Sequence, residues 1–505
     1  MRRFAPWIEG ALLALVVLLL LALGGEAVRA SYHGCLHASV GEAVLRDGLL
    51  PENPYHAGVA LRYYTLYPAL GVLLGRIAGG PMWGFALLDV LAALLLAPAL
   101  DALGKQLGLS FSARRCAFLA AVLGFNGLGW LGYFVAQGQP FGAPPVYALG
   151  PMTLMSESFG WDGRLQAFLP KFLNVSSYAI ALPFALWGLA AARPRACWIP
   201  LGLSLALNPI VGGFAAAVLA TWRLVEARAS GLRATLGWAI AGAAAAFFAL
   251  PFLLPSLVPA PHGPSLTGNP ALGGSRIANL FGPQHLVLLP ALLGLTLLAR
   301  RERWRIAVPI AFAALLVLVG EMPQSNEYKM ARLLGLVLAL PAGAWIASLG
   351  KRGRIACALI GLATLPTAAA VVRAYLAYGE RTHFPLVEPP AAERDADPNA
   401  VIVYAAPPEL LRATRGLVQG NPLAPKLHHA LYVDLPQIHN EGQPDLAERL
   451  GELDGLELER MRARLPTRPL LFLLPGAELL EKLHAAGARE LGESTWLLPA
   501  LRASE

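Results

Sequence analysis

The residues best suited to chemistry gather in three stretches. In the first, residues 26–67 (EAVRASYHGCLHASVGEAVLRDGLLPENPYHAGVALRYYTLY), His33 and His37 stand four apart in H-G-x-x-H. On a helix that spacing puts both imidazoles on one face, where they can chelate a metal or supply a base. The bland alternative is two polar residues at a helix end. Glu26, just before them, is a second candidate base or an interface anchor. The rigid turn PENP presents Glu52 and Asn53. RYYTLY, with Tyr63, Tyr64 and Tyr67, reads as an interfacial aromatic belt or as a stacking surface for sugar rings. A connector between two membrane helices needs only a few residues; this one spends about forty.

The second stretch, 138–171, carries Asp162, Arg164 and Lys171, with Asn174 just beyond. Cations at a membrane surface suit a lipid-linked phosphate, because they offset its charge and donate hydrogen bonds. The competing reading is a loop ion pair beside a flanking lysine. Asn174-Val175-Ser176 matches a glycosylation sequon but lies at a helix start, and is discounted. The third stretch, EMPQSNEYKMAR (321–332), places Lys329 and Arg332 where the topology below expects few positive charges. Such charges suggest an anionic headgroup, against the alternative of a snorkelling pair at a helix end. Asp89, inside ALLDVLAAL, is costly unless it faces a polar interior. A transporter could use it, and a buried structural hydrogen bond competes.

An apolar chain must position these residues. Of 505 residues 56% are hydrophobic and 14% charged, against about 25% charged in soluble domains, so the chain is read as an integral membrane protein. A net charge of +8 then belongs mostly to cytoplasmic loops and argues against nucleic acid as a partner. Cys35, Cys116, Cys197 and Cys357 form neither a disulfide framework nor a zinc spacing. Arg2 and Arg3 before an apolar run resemble a signal peptide. The run 7–25 approaches the ~20 residues that span a bilayer, so an uncleaved first helix is expected.

Further apolar segments fall at about 82–103, 116–137, 172–192, 197–222, 236–257, 284–300, 305–320, 331–349 and 354–374. With the N-terminus inside, Lys105, Arg114, Arg115, Arg193, Arg195, Arg300, Arg301, Arg303, Arg305, Lys351, Arg352 and Arg354 all fall inside. This requires that 67–79 does not cross and that 197–222 crosses twice, broken at Asn208-Pro209. The outcome is about eleven crossings with the C-terminus outside. The stretches 26–67, 138–171, 258–283 and 321–330 then lie on the outer face. From about 379 charge rises and prolines cluster, as in a linker. Strand-like AVIVYAAP, ALYVDLP, PLLFLLPG and STWLLPAL alternate with helix-like PELLRATRGL, DLAERLGELDGLELERMRARL and AELLEKLHAAGA. The expected fold is an all-α polytopic membrane domain (1–378), a linker (379–398) and a small extracytoplasmic α/β domain (399–505) with a partly parallel sheet.

The order of SYHGCLHASV, GLLPENPYHAGVALRYYTLYPAL, DGRLQAFLPKFLN, NPIVGG and NEYKMARLLGL resembles GT-C-type integral membrane glycosyltransferases of an uncharacterised bacterial branch, over roughly residues 1–375. The resemblance implies a bacterial plasma-membrane enzyme that moves a sugar from a polyprenyl-phosphate donor to a glycan, lipid or protein acceptor on the outer face. It also implies an Asp or Glu after the first helix as base, often beside a divalent metal; the residues themselves fix no cofactor. Here Ser31, Tyr32 and His33 stand where that acid is expected. The base role then falls to His37, His33 or Glu26, with Lys171, Lys329 and Arg332 stabilising the leaving phosphate in an inverting displacement. Glu52, Asn53, Tyr63, Tyr64, Asp162, Arg164 and Asn174 complete the candidate substrate site. The rival readings are a transporter or flippase of a lipid-linked or anionic solute, and an inactive envelope-assembly scaffold.

Overall fold

Helix lengths follow the apolar pattern closely. The computed structural model describes residues 2–31, 33–136, 150–257, 276–318, 326, 328–381, 390–404, 427–433, 445–473, 475, 477–492 and 495–501. Among these, seven helices are long and apolar enough to cross a membrane: Ala5–Leu23, Pro81–Gln106, Pro209–Glu226, Arg233–Leu257, Arg276–Leu297, Tyr328–Ser348 and Lys351–Gly379. The chain is a multi-pass membrane protein. The other expected crossings fall on Phe111–Leu123, Ser177–Ala190, Pro194–Leu207 and Arg300–Leu318, which are shorter or begin with charge.

Local chemistry explains the departures from the apolar pattern. The segment 116–137 is not one helix. It breaks between Leu123 and Trp130, where Asn126 adopts φ +47°. Its amide donates to the carbonyls of Met155 (2.9 Å) and Leu165 (3.0 Å), fixing the approach to the second stretch. Helix Leu66–Ala78 has 13 residues, about 20 Å, too short to span. It turns back through Gly79 and Gly80 (φ +92° and +138°) and packs on helix Pro81–Gln106. A Cβ on Gly84 would lie 1.8 Å from the Gly71 carbonyl oxygen, so this contact requires glycine. The break at Asn208-Pro209 is present: Asn208 caps helix Pro209–Glu226, its side chain accepting from the Val211 amide at 3.2 Å. Residues 26–67 hold more helix than their polarity suggests, in Gly25–Ala30 and Gly34–Asp47.

Beyond residue 390 a mixed sheet forms from β1 (Val401–Tyr404), β2 (Leu470–Leu473), β3 (Arg489–Gly492) and β4 (Thr495–Leu498), in the order β1-β2-β4-β3. β1 and β2 are parallel and the other pairs antiparallel. The exposed β3 (RELG) lacks an apolar pattern and is not expected from sequence. ALYVDLP contributes a parallel bridge from Leu431 to Ile402. PELLRATRGL lies outside the described residues.

The sheet packs on the first stretch. Leu36, Val40 and Val44 of helix Gly34–Asp47 share one apolar core with Tyr55, Leu61, Ile402, Leu431, Leu471 and Leu473. Backbone bonds join Ala57 N–H to the Leu431 carbonyl (2.9 Å) and Leu431 N–H to the Pro54 carbonyl (3.0 Å). The helix that starts at His33 is therefore clamped between membrane helices and sheet. Replacing Leu36 by alanine is expected to cost about 2–4 kcal/mol. Thermal unfolding in detergent should shift down, and limited proteolysis should release the C-terminal sheet faster; an unchanged digestion pattern would refute this packing.

Candidate active site

The chain turns at Ser31 (φ +51°) and enters helix Gly34–Asp47 with His33 at its N-cap. His37 sits one turn on, and the two rings lie 6.1 Å apart, as the spacing requires. His37 is buried among Tyr67 (4.9 Å), Tyr63 (5.6 Å), Phe85 (5.9 Å) and Tyr64 (6.5 Å). Its Nδ1 has no hydrogen-bond partner. Burial, and then the positive charges of His33 and Lys329, push its pKa well down, so the imidazole is neutral. Tyr63 and Tyr64 stack at 4.3 Å. The Tyr63 hydroxyl donates to that of Tyr64 (3.0 Å), which pairs with Ser177 Oγ (2.7 Å). The Asn208 amide also donates to Ser177 (2.8 Å), so the helix break at 208 braces the tyrosine pair.

Near this imidazole lies a group of cations around Tyr328, Lys171 and Arg332 buried and Arg164 and Lys329 half-buried. The Arg164 guanidinium stacks on its ring at 4.3 Å, Lys171 Nζ lies 5.4 Å from the ring centre and Lys329 Nζ 6.0 Å. Lys171 also lies 5.9 Å from the Tyr178 ring. Arg332 is almost wholly buried and spends its guanidinium on backbone, donating to the carbonyls of Arg164 (2.7 Å) and Ala167 (3.2 Å). It therefore shapes the 164–167 turn. Asp162 accepts two bonds from the Arg164 guanidinium (2.8 and 2.9 Å) and one from its backbone N–H (2.8 Å). Burial, and then Arg332, Lys329 and Arg164, pull the Lys171 pKa well below its ordinary value, with Asp89 opposing them. Among the described residues, Arg164, Lys171, Lys329 and Arg332 thus stand close together, with Asp162 bonded to Arg164.

Other candidates are engaged elsewhere. Glu26 is half-buried on helix Gly25–Ala30 and acts on Arg29, whose guanidinium lies 4.1 Å from the Trp83 ring. Glu52 binds Arg468 and the Gly58 N–H, and Asn53 Oδ1 accepts from the Tyr55 N–H at 3.0 Å. Both build the turn that docks the C-terminal sheet. Asn174 Oδ1 accepts from Ser31 Oγ (3.2 Å) and the Tyr375 hydroxyl (3.0 Å), tying helix Lys351–Arg381 to the start of the first stretch. Sequence reasoning did not single out Tyr328, Tyr178 or Ser177. An aromatic immediately before Lys329 was the available signal for Tyr328.

Among the described residues no three His, Cys, Asp or Glu side chains cluster as ligands. The arrangement offers a neutral imidazole near a group of cations.

No family model matches the chain, and no curated protein matches it. Solved structures do. ArnT from Cupriavidus metallidurans, bound to undecaprenyl phosphate, matches at 13% identity and TM-score 0.50, covering 96% of this chain and 97% of that one. The arabinofuranosyltransferase AftD from Mycobacteria matches at 14% identity and TM-score 0.57, covering all of this chain and 40% of that one. The fold is that of the GT-C-type membrane glycosyltransferases.

The two kinds of buried cation should respond oppositely to removal. Arg332→Met strands two buried carbonyls at about 1–3 kcal/mol each and should lower the melting temperature in detergent. Lys171→Met removes a cation held among cations and should leave the melting temperature unchanged or raise it. The reverse order would show that Lys171, not Arg332, holds the turn.

Proposed function

We propose that this chain is an inverting membrane glycosyltransferase that takes a sugar from a polyprenyl-phosphate donor on the outer membrane face. The observation that carries the reading is one neutral buried imidazole, His37, beside Lys171, Lys329 and Arg164 around one tyrosine ring. GT-C folds shared with a protein bound to undecaprenyl phosphate and with an arabinofuranosyltransferase support the lipid carrier and the transfer of a sugar.

The chemistry follows from charge. A polyprenyl-phosphoryl sugar is a phosphodiester with one negative charge; the released phosphomonoester carries about −1.5 to −2 at neutral pH. A site lined by Arg164, Lys171 and Lys329 gains more from the leaving phosphate than from the bound donor. That difference lowers the barrier, whereas uniform binding would not. His37 takes the proton of the acceptor hydroxyl as its oxygen bonds to the anomeric carbon. The bond from that carbon to the phosphate oxygen breaks, and its electrons stay on the phosphate, held by Lys171, Lys329 and Arg164. Arg332 positions Arg164, and Tyr63 and Tyr64 offer faces and hydroxyls to the sugar. The sheet beyond residue 390 fixes the helix that carries His37 and is placed with it outside the membrane.

The direct assay is release of polyprenyl phosphate from radiolabelled polyprenyl-phosphoryl arabinose or mannose by the purified chain, with bacterial envelope extract as acceptor source. His37→Ala should lower kcat by about 10²–10⁴ with donor affinity retained; full activity in that variant would remove His37 from the mechanism. The acid limb of the rate profile should fall below about pH 6.5, because His37 must be neutral and its pKa is depressed. In Lys329→Met one repelling charge is gone, the His37 pKa rises toward normal, and the limb should move to higher pH. A limb that stays put would separate Lys329 from the base.

A further inference from the structure

The C-terminal sheet is fastened to the first stretch by a cluster that the reaction above does not use. Glu393, on the short helix Ala391–Arg394 before β1, is fully buried. Its Oε1 accepts the His428 backbone N–H (2.7 Å) and meets His429 Nδ1 (2.8 Å), and its Oε2 meets His428 Nδ1 (3.0 Å). The other ring nitrogen of His429, Nε2, lies 2.9 Å from the Asp397 carbonyl, which also accepts the Ala400 N–H at 2.8 Å. His429 is buried, and the His428 ring is half-exposed. The two histidines lead into residues 430–432, which bond to Ile402 of β1 on one side and to the Pro54 and Ala57 backbone on the other. Arg46 of helix Gly34–Asp47, the helix that carries His37, donates to the His428 carbonyl.

The bonding pattern fixes a proton count. A backbone carbonyl can only accept, so His429 Nε2 carries a hydrogen. Nδ1 then needs a hydrogen of its own against a carboxylate, or the carboxyl must supply one. Either way, Glu393 and His429 together hold one proton more than a carboxylate and a neutral imidazole would. Burial raises the Glu393 pKa, but the bonds from His429 and His428 outweigh it and leave the carboxyl below its ordinary value, which puts the proton on the imidazole. We propose that Glu393, His428 and His429 form a pH-dependent clasp, closed by that shared proton, which fastens the C-terminal sheet to the His37 helix in mild acid and loosens as pH rises. Loss of the proton leaves two acceptors facing each other at Nδ1 or at Nε2, and a buried contact is given up. The closed form binds the extra proton and the open form does not, so stability falls with rising pH. The other charged side chains around the clasp, among the described residues, are Arg46 and Asp47, paired with each other, and the exposed Arg394, Asp395 and Asp397. The clasp does not depend on which reaction the chain catalyses.

The test is the rate at which limited proteolysis of the purified full chain in detergent releases the C-terminal sheet, at about pH 6 and about pH 8.5, divided at each pH by the rate on an unfolded protein. Wild type should be cut about tenfold faster at the higher pH. His429→Gln keeps a donor but cannot titrate; it should be cut at one rate at both pH values, faster than wild type at the lower. Glu393→Gln should behave alike, because the proton belongs to the pair. His428→Gln gives up a neutral bond and should keep most of the pH dependence. Equal wild-type rates at the two pH values overturn the proposal without need of any variant. So does a pH dependence that survives in His429→Gln and Glu393→Gln, which places the proton elsewhere.

Discussion

The gathering of Arg164, Lys171 and Lys329 on the ring of Tyr328 is the interaction around which the site is built. Burying Lys171 and Lys329 among other cations opposes folding, because each loses hydration and gains like-charged neighbours. The arrangement persists because the surroundings over-determine it. Arg332 spends its guanidinium on two carbonyls and so fixes the turn that carries Arg164. Asp162 grips Arg164 and is itself held through its N–H by Asn279 at 2.8 Å. The Tyr178 hydroxyl donates to the Lys329 carbonyl at 3.2 Å. For Lys171 and Lys329 aromatic faces add attraction without neutralising the charge. Such a cluster is a poor way to stabilise a fold and a good way to receive an anion.

The same logic explains how His37 is used. In the proposed role of base His37 must be neutral to accept a proton, and burial near Lys329 keeps it so. Its position comes from opposite directions. Below, Tyr67 and Phe85 of the Leu66–Ala78 and Pro81–Gln106 hairpin pack against the ring. Above, the helix it stands on shares an apolar core with the C-terminal sheet. The polar residues of the turn at 51–61, which bind that sheet through Glu52, His56 and the Ala57 backbone, serve this placement without touching the site. Sheet and membrane helices together hold His37 near the cations around Tyr328.

What could be read from the sequence was whatever depends on local pattern. The H-G-x-x-H spacing gave the shared face of His33 and His37, and the Asn208-Pro209 pair gave the helix break. The paired strand and helix signals gave most of the small sheet; the short exposed β3 escaped because it has no apolar alternation. The convergence of Lys171, Lys329 and Arg164 was suggested by charge in unexpected places, but their common hub, Tyr328, depends on packing between distant segments. Arg332 and Asn174 carry the right chemistry for a ligand and are committed to backbone and to Ser31 and Tyr375 instead. Residue type cannot reveal such a commitment, because it arises only when a loop folds back on a helix. Glu52 and Asn53 illustrate the same point: polar groups in an outer turn can bind substrate or bind the rest of the chain.

The measurement that bears most directly on this account is a structure of the full chain in complex with a polyprenyl monophosphate. The account predicts the phosphate within hydrogen-bonding distance of Lys171 and Lys329 and beside the Arg164 guanidinium on Tyr328, with His37 facing the side from which an acceptor would approach. A phosphate bound elsewhere, with the Tyr328 cations facing no ligand, would contradict it.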